Sequence, residues 1–230
     1  MKYQHIFFDL DHTLWDFDRN SKAALSDVYY EFDLRQFQIA SPQHFQEVYG
    51  PINERMWVQY RLGEIDAETV KIGRFRESLK RFGVVDEDLV RAAKSFYLNQ
   101  LPLKGYLMPN TMEALRYLQA KYKLHVVTNG FRAVTERKIA HSDIGAFFES
   151  TLSAEEVGVL KPNRAVFDRA LSMNNATIEN SLFVGDNLIA DVQGAQGVGM
   201  DQVFFNPHQK AHNETPTFEI KDMKEMVELF

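Results

Sequence analysis

Between His5 and Leu14 the chain reads HIFFDLDHTL, an apolar run that stops on two carboxylates, Asp9 and Asp11, followed by Thr13. Ile6, Phe7 and Phe8 are too short a stretch for a helix and continuously apolar, the pattern of a strand buried on both faces of a parallel sheet. A carboxylate entering that environment demands a partner, and a bound cation is the simplest one. Taken alone, Asp-x-Asp-x-Thr also reads as an Asx-turn or a helix cap. Three further polar strand ends, found later in the chain, outweigh that reading.

After Leu14 the periodicity turns helical and stays so to about Pro102. One helix is expected from the Asp18–Ser21 region through Ala24, Leu25, Val28 and Tyr29. A second begins at Ser41-Pro42, a cap followed by proline at the first helical position, and carries Phe45, Val48, Ile52, Met56 and Tyr60 up to Gly63. Asp66 caps a third with Val70, Phe75 and Leu79, and Asp86 a fourth with Leu89, Ala93, Phe96 and Tyr97. Four such helices make a small bundle. From Lys104 onward helices alternate with strand runs at Leu124–Val127, Leu182–Val184 and Val203–Phe205. Apolar stripes lie between them at Met108, Leu115, Leu118 and Tyr122, at Val166, Phe167, Ala170 and Leu171, and at Met223, Val227 and Phe230. The expected fold is α/β, a Rossmann-like doubly wound parallel sheet with an inserted helical domain. The core takes residues 1–15 and 104–230, and the insertion 16–103. Right-handed crossovers bring the strand ends to one edge, where ligands bind.

Composition removes whole classes of chemistry. There is no cysteine, which excludes disulfides, thiolate nucleophiles and Cys-ligated zinc. A net charge of −6 argues against a general nucleic-acid binder. No apolar run approaches ~20 residues and no basic N-terminal region precedes one, so neither a membrane span nor a secretory signal is expected, and the protein is expected to be cytoplasmic.

The polar strand ends form an ordered set: Asp9 and Asp11, then Thr128 and Asn129, then Lys161 before Pro162-Asn163, then Asp186 and Asp191 in GDNLIAD. Singly, each reads blandly: a surface lysine, a strand-end hydroxyl, a Gly-Asp turn. An Asp carboxylate can attack a phosphoryl group. Two unit charges ~4 Å apart in a dielectric near 20 repel by about 4 kcal/mol, however, so cations must accompany a phosphate here. Mg2+, which takes one or two carboxylates plus phosphate and water, suits Asp9 and Asp186. His12 is expected to point away by strand alternation. His208 and His212 have a helical metal-binding spacing, but Pro207 favours a solvated loop.

In DLDHT, VVTNG, the lysine of VLKPN and GDNLIAD the chain resembles the haloacid dehalogenase (HAD) superfamily over essentially its whole length. The resemblance implies that Asp9 forms an aspartyl-phosphate while Asp11 acts as acid and then as base. It implies a metal held by the Asp9 carboxylate, the Asp11 main-chain carbonyl and Asp186, with Asp191 in a supporting metal role. Thr128 and Lys161 would act on the phosphate, as would the amides of Leu10 and Asn129, and Gly130 lets the backbone come close. Asp11 is absent from the dehalogenase branch, so dehalogenation is disfavoured. The helical insertion resembles the family's cap, which excludes water and selects substrate.

FFDLDHTLWDFD, MWVQYRLGEI, VVTNGF and AEEVGVLKPN look like the pyrimidine 5'-nucleotidase branch, implying a small-molecule phosphate ester of nucleoside monophosphate type as substrate. Trp57 and Tyr60, three residues apart, either face a base or fill the bundle core, the commoner fate of such a stripe. Phe17, Phe131 and Arg132 adjoin the motifs without an assigned role. A sugar-phosphate or phosphoglycolate phosphatase shares the core and cap, as does a sugar phosphomutase. A non-catalytic binding protein is the reading from another class.

Overall fold

The computed structural model describes residues 2–230. Six strands build one sheet among them: β1 (His5–Phe8), β2 (Lys123–Thr128), β3 (Phe148–Ser153), β4 (Ser181–Gly185), β5 (Asp201–Phe205) and β6 (Phe218–Ile220). Their spatial order is β3-β2-β1-β4-β5-β6 and every pairing is parallel. β1 is central, and all four of its residues are buried, which is why its sequence is apolar on both faces. The chain leaves β1 in one direction through β2 and β3 and in the other through β4, β5 and β6. The order therefore reverses between β1 and β4, the place where open α/β sheets leave a crevice beyond the strand ends. Phe8 lies opposite Val126 on one side and Val184 on the other, so Asp9, Thr128 and Asp186 follow at nearly the same level.

The chain divides into two compact units, one of residues up to Phe17 with Gly105–Phe230, the other of Asp18–Lys104. Four helices carry the second unit: α1 (Phe17–Glu31, entering from the boundary), α2 (Pro42–Arg61), α3 (Ala67–Arg81) and α4 (Glu87–Gln100). α1 starts at Phe17, so the Asp18–Ser21 region expected to cap it lies within its first turns, whereas α2, α3 and α4 start with the expected capping chemistry. The Ser41 hydroxyl accepts from His44 N, Asp66 from Thr69 N, and Asp86 from Asp88 N and Leu89 N. α2 runs through Pro51 without breaking. Phe45, Tyr49, Phe75 and Tyr97 form the aromatic centre of this unit, with ring centroids of Tyr49–Phe75 and Phe75–Tyr97 at 5.2 and 5.3 Å. Tyr49 rather than Val48 is the inward residue of its turn, and Trp57 and Tyr60 are only half-buried, so they are not bundle core.

In the sheet unit, α5 (Thr111–Gln119), α6 (Arg132–His141), α7 (Arg164–Met173), α8 (Gly194–Val198) and α9 (Glu225–Leu229) flank the strands. The α7 stripe of Val166, Phe167, Ala170 and Leu171 is buried with Phe7, Val127 and Phe183 in one core. Met108 and Tyr122 fall outside α5, and α9 buries Met226 rather than Val227. β1 ends at Phe8, so strand alternation does not reach His12; it turns with φ 64°, and its ring lies 5.0 Å from that of Phe17. His208 and His212 lie outside any helix, and the His212 Nε2 sits 3.2 Å from Glu219. No helix among the described residues is long and apolar enough to cross a membrane.

Candidate active site

The sheet edge gathers its polar groups on Asp9. Its backbone N–H donates to the Val184 carbonyl at 2.9 Å, extending the β1–β4 ladder one residue past Phe8. Its carboxylate Oδ1 accepts from the Lys161 ammonium at 2.7 Å. That ammonium also donates to the Val127 carbonyl at 2.7 Å and lies 2.8 Å from Asp191 Oδ1. Lys161 is 1% exposed, a cation sealed in the protein. Asn129 holds its backbone, with the side-chain oxygen accepting from Lys161 N at 2.8 Å and the amide donating to Lys161 O at 3.0 Å. The asparagine of TNG thus clamps the lysine of the next motif.

β4 ends at Gly185, and a wide π-helical turn over Leu188–Gln193 folds Asp191 back upon it. Asp191 Oδ2 accepts from Asn187 N at 3.0 Å. A Cβ on Gly185 would stand 2.3 to 2.5 Å from the Asp191 side chain, so the motif requires glycine there for close approach rather than for an unusual φ. Asp186 Oδ1 accepts from the Thr13 hydroxyl at 3.2 Å.

One carboxylate oxygen from each of Asp9, Asp186 and Asp191 lies within 4.8 Å of the others. Three carboxylates against the single Lys161 ammonium leave two negative charges. Burial, then the neighbouring carboxylates, push Asp9 and Asp186 above the ordinary carboxylate range, Lys161 offsetting part of this for each and Thr13 part for Asp186. Burial alone would lower Lys161, yet Asp191 and Asp9 hold it above its usual value. Asp191 Oδ1 is buried, and the Lys161 ammonium 2.8 Å away is its ionic partner. An all-oxygen donor set with two negative charges in excess of Lys161 when all three carboxylates are ionised fits a hard divalent cation.

Thr128 ends β2, buried, with its Oγ1 accepting from Gly130 N at 3.0 Å and its own O–H left to donate. Leu10 is buried, and its carbonyl accepts from Leu14 N and Trp15 N at 2.9 and 2.8 Å, closing the turn that carries Asp11. The Asp11 side chain does not join the carboxylate cluster. Its Oδ1 and Oδ2 accept from the Lys138 ammonium at 2.6 and 2.9 Å. Sequence reasoning passed over Lys138. Thr135, Lys138, Ile139 and Ser142 recur at helical spacing and are all buried, but only Ile139 among them is apolar, so no hydrophobic stripe marks this face in the sequence.

Comparison with known proteins adds to this geometry. The haloacid dehalogenase-like hydrolase family matches residues 3–199. The pyrimidine 5'-nucleotidase PynA of Streptococcus pneumoniae is 28% identical over 99% of this chain and 95% of its own. The pyrimidine 5'-nucleotidase YjjG of Escherichia coli is 28% identical over 100% of this chain and 98% of its own. Among solved structures, the magnesium-bound putative HAD-hydrolase YfnB of Bacillus subtilis superposes with a TM-score of 0.90 at 25% identity, covering 100% of this chain and 99% of that one.

Proposed function

Because this chain belongs to the haloacid dehalogenase-like hydrolases, we propose that it is a Mg2+-dependent 5'-nucleotidase that cleaves pyrimidine nucleoside 5'-monophosphates through an aspartyl-phosphate. The observation that carries the reading is Asp9, seated at the end of the central strand, gripped by Lys161 and crowded by Asp186 and Asp191. Near-full-length likeness to two pyrimidine 5'-nucleotidases supports the substrate class.

In the first step a carboxylate oxygen of Asp9 attacks phosphorus, the P–O bond to the nucleoside breaks, and Asp11 gives its proton to the departing alkoxide. In the second, water attacks the phosphorus of the aspartyl-phosphate, Asp11 takes its proton, and the bond to Asp9 breaks to release inorganic phosphate. Asp9, Asp186 and Asp191 would hold Mg2+, with the Asp11 main-chain carbonyl; the ion supplies charge neutralisation at the phosphoryl oxygens. Lys161 holds Asp9 in place and contributes a fixed positive charge. Thr128 offers its hydroxyl to a phosphoryl oxygen, and the amides of Leu10 and Asn129 add donors. The helical unit acts as the cap that selects substrate, with Trp57 and Tyr60, half-buried and 5.8 Å apart, as candidates for base contact.

Phosphate release from UMP, dUMP and dTMP, ranked by kcat/KM against a panel of sugar phosphates in the presence of Mg2+, tests the reading. Pyrimidine monophosphates are expected to lead. A sugar phosphate at the head of the panel would remove the nucleotide assignment, isomerisation without phosphate release would indicate a mutase, and tight binding without turnover a binding protein. Replacing Asp11 with Asn is expected to slow turnover by about 10²- to 10⁴-fold.

A further inference from the structure

The geometry points to Lys138 as a positioning residue that fixes the Asp11 carboxylate for proton transfer, an inference that rests on the phosphomonoesterase reading above. Lys138 lies on α6, 127 residues from Asp11 in sequence, and its side chain is only 3% exposed. A buried ammonium costs several kcal/mol unless it is paired. Its one ionic partner among the described residues is Asp11, with the ammonium donating to both carboxylate oxygens. A single contact would leave the carboxylate free to rotate about its Cβ–Cγ bond; bridging both oxygens sets its plane as well as its place.

The surroundings make the post rigid. The ammonium stands 4.2 Å over the Trp15 ring and 5.3 Å from the Phe17 ring, where the ring faces attract a cation. Trp15 is itself tied to the end of α6, its indole N–H donating to the Ser142 hydroxyl at 3.1 Å. The turn bearing Asp11 and the helix bearing Lys138 are thus joined twice. Asp11 remains 23% exposed on its other side, so the carboxylate is gripped from behind and open in front.

What lies in front is the phosphate-facing end of β2. The point a Cβ would occupy on Gly130 is 3.3 Å from the Thr128 hydroxyl and 3.5 Å from Asp11 Oδ2. Lys138 therefore holds the proton carrier beside the group assigned to the phosphoryl oxygens, the kind of supporting contact that makes a site exact to within about half an ångström.

The test compares a nucleoside monophosphate, whose alkoxide must be protonated as it leaves, with p-nitrophenyl phosphate, whose phenolate leaves without a proton. Lys138→Met keeps the length of the stem and removes the charge. It is expected to lower kcat on dUMP by about 10²-fold, with KM changed little and the nitrophenyl rate down only a few-fold. Both rates come from one sample, so a smaller folded fraction lowers them together and leaves their ratio unchanged. Lys138→Arg should recover at least tenfold of the dUMP loss. In an Asp11→Asn background Lys138→Met should cost almost nothing more, since the group it positions is gone. If the Met variant yields no folded protein, Lys138→Gln, which retains one donor, takes its place and should shift the ratio in the same direction. Equal losses on the two substrates, a rise in KM alone, or multiplicative losses in the double variant would overturn the inference. Wild-type activity separates the two readings: an active phosphatase preferring another alkyl ester unseats the nucleotide assignment, and the comparison then runs on that ester.

Discussion

Asp9 and Lys161 illustrate how the site is built against stability. Both are buried, and Asp9 shares its surroundings with Asp186 and Asp191. Its folded value lies above its unfolded one, so its ionised form weakens the fold increasingly as pH rises above the ordinary carboxylate range. Asp9→Asn, with no metal present, is therefore expected to raise the melting temperature at pH 7.5 while nearly abolishing turnover. Lys161→Met should do the reverse to stability, lowering it by about 3–5 kcal/mol in urea titration because Asp9 and Asp191 lose their shared counter-charge. Melting curves of the two variants that moved in the same direction would refute this account. These residues were legible because each sits in a short contiguous motif whose chemistry is local. Lys138 was not, since its partner lies on a distant segment and a buried cation leaves no apolar signature.

Secondary structure was legible where a local rule decided it and obscure where tertiary context did. Ser41, Asp66 and Asp86 announce their helices because a cap satisfies N–H groups two or three residues away. β3, reading FESTLS, passed unnoticed: it is an edge strand with only Leu152 and Ser153 fully buried, so it carries no apolar run. β6 is three residues long on the opposite edge, and α6 buries Thr135 and Lys138 beside Ile139, which blurs its stripe. At the junction of β4 with the following turn, geometry yields a sharper expectation. Gly185→Ala would drive a methyl group into the whole Asp191 side chain, not merely its flexible end. Overpacking of that kind costs about 1–3 kcal/mol, and displacing Asp191 should also reduce turnover. Gly197→Ala on α8, where a Cβ meets nothing within 4 Å, is the control and should leave turnover unchanged while raising stability by up to about 1 kcal/mol. A Gly185→Ala enzyme with wild-type stability and rate would show that Asp191 has room to retreat.

At the scale of the whole molecule, doubly wound order explains why the candidate site forms where it does. It also creates a second buried polar line on the other half of the sheet. His5 of β1 and His125 of β2 meet at 3.0 Å through Nδ1 and Nε2, and His125 Nδ1 reaches the Ser150 hydroxyl of β3 at 2.9 Å. This chain crosses three adjacent strands. Burial, then His5 and Lys123, push His125 from 6.5 down to about 4, and burial likewise lowers His5. A neutral histidine is thus favoured in the folded protein, while the unfolded chain takes up its proton near pH 6.5. The stabilisation is complete above about pH 6.5 and is lost as pH falls toward 4, amounting for His125 to something on the order of 3 kcal/mol. The carboxylates at the site act in the opposite sense, since their raised values favour the folded state as pH falls. A wild-type pH profile alone would therefore mix the two. Comparing the urea midpoints of wild type and His125→Gln at pH 7.5 and 4.5 separates them, because the carboxylates are common to both proteins. Wild type should lose more stability across that interval than the variant does. Parallel losses would mean that His125 carries no proton-linked stability and that the acid sensitivity of the sheet lies elsewhere.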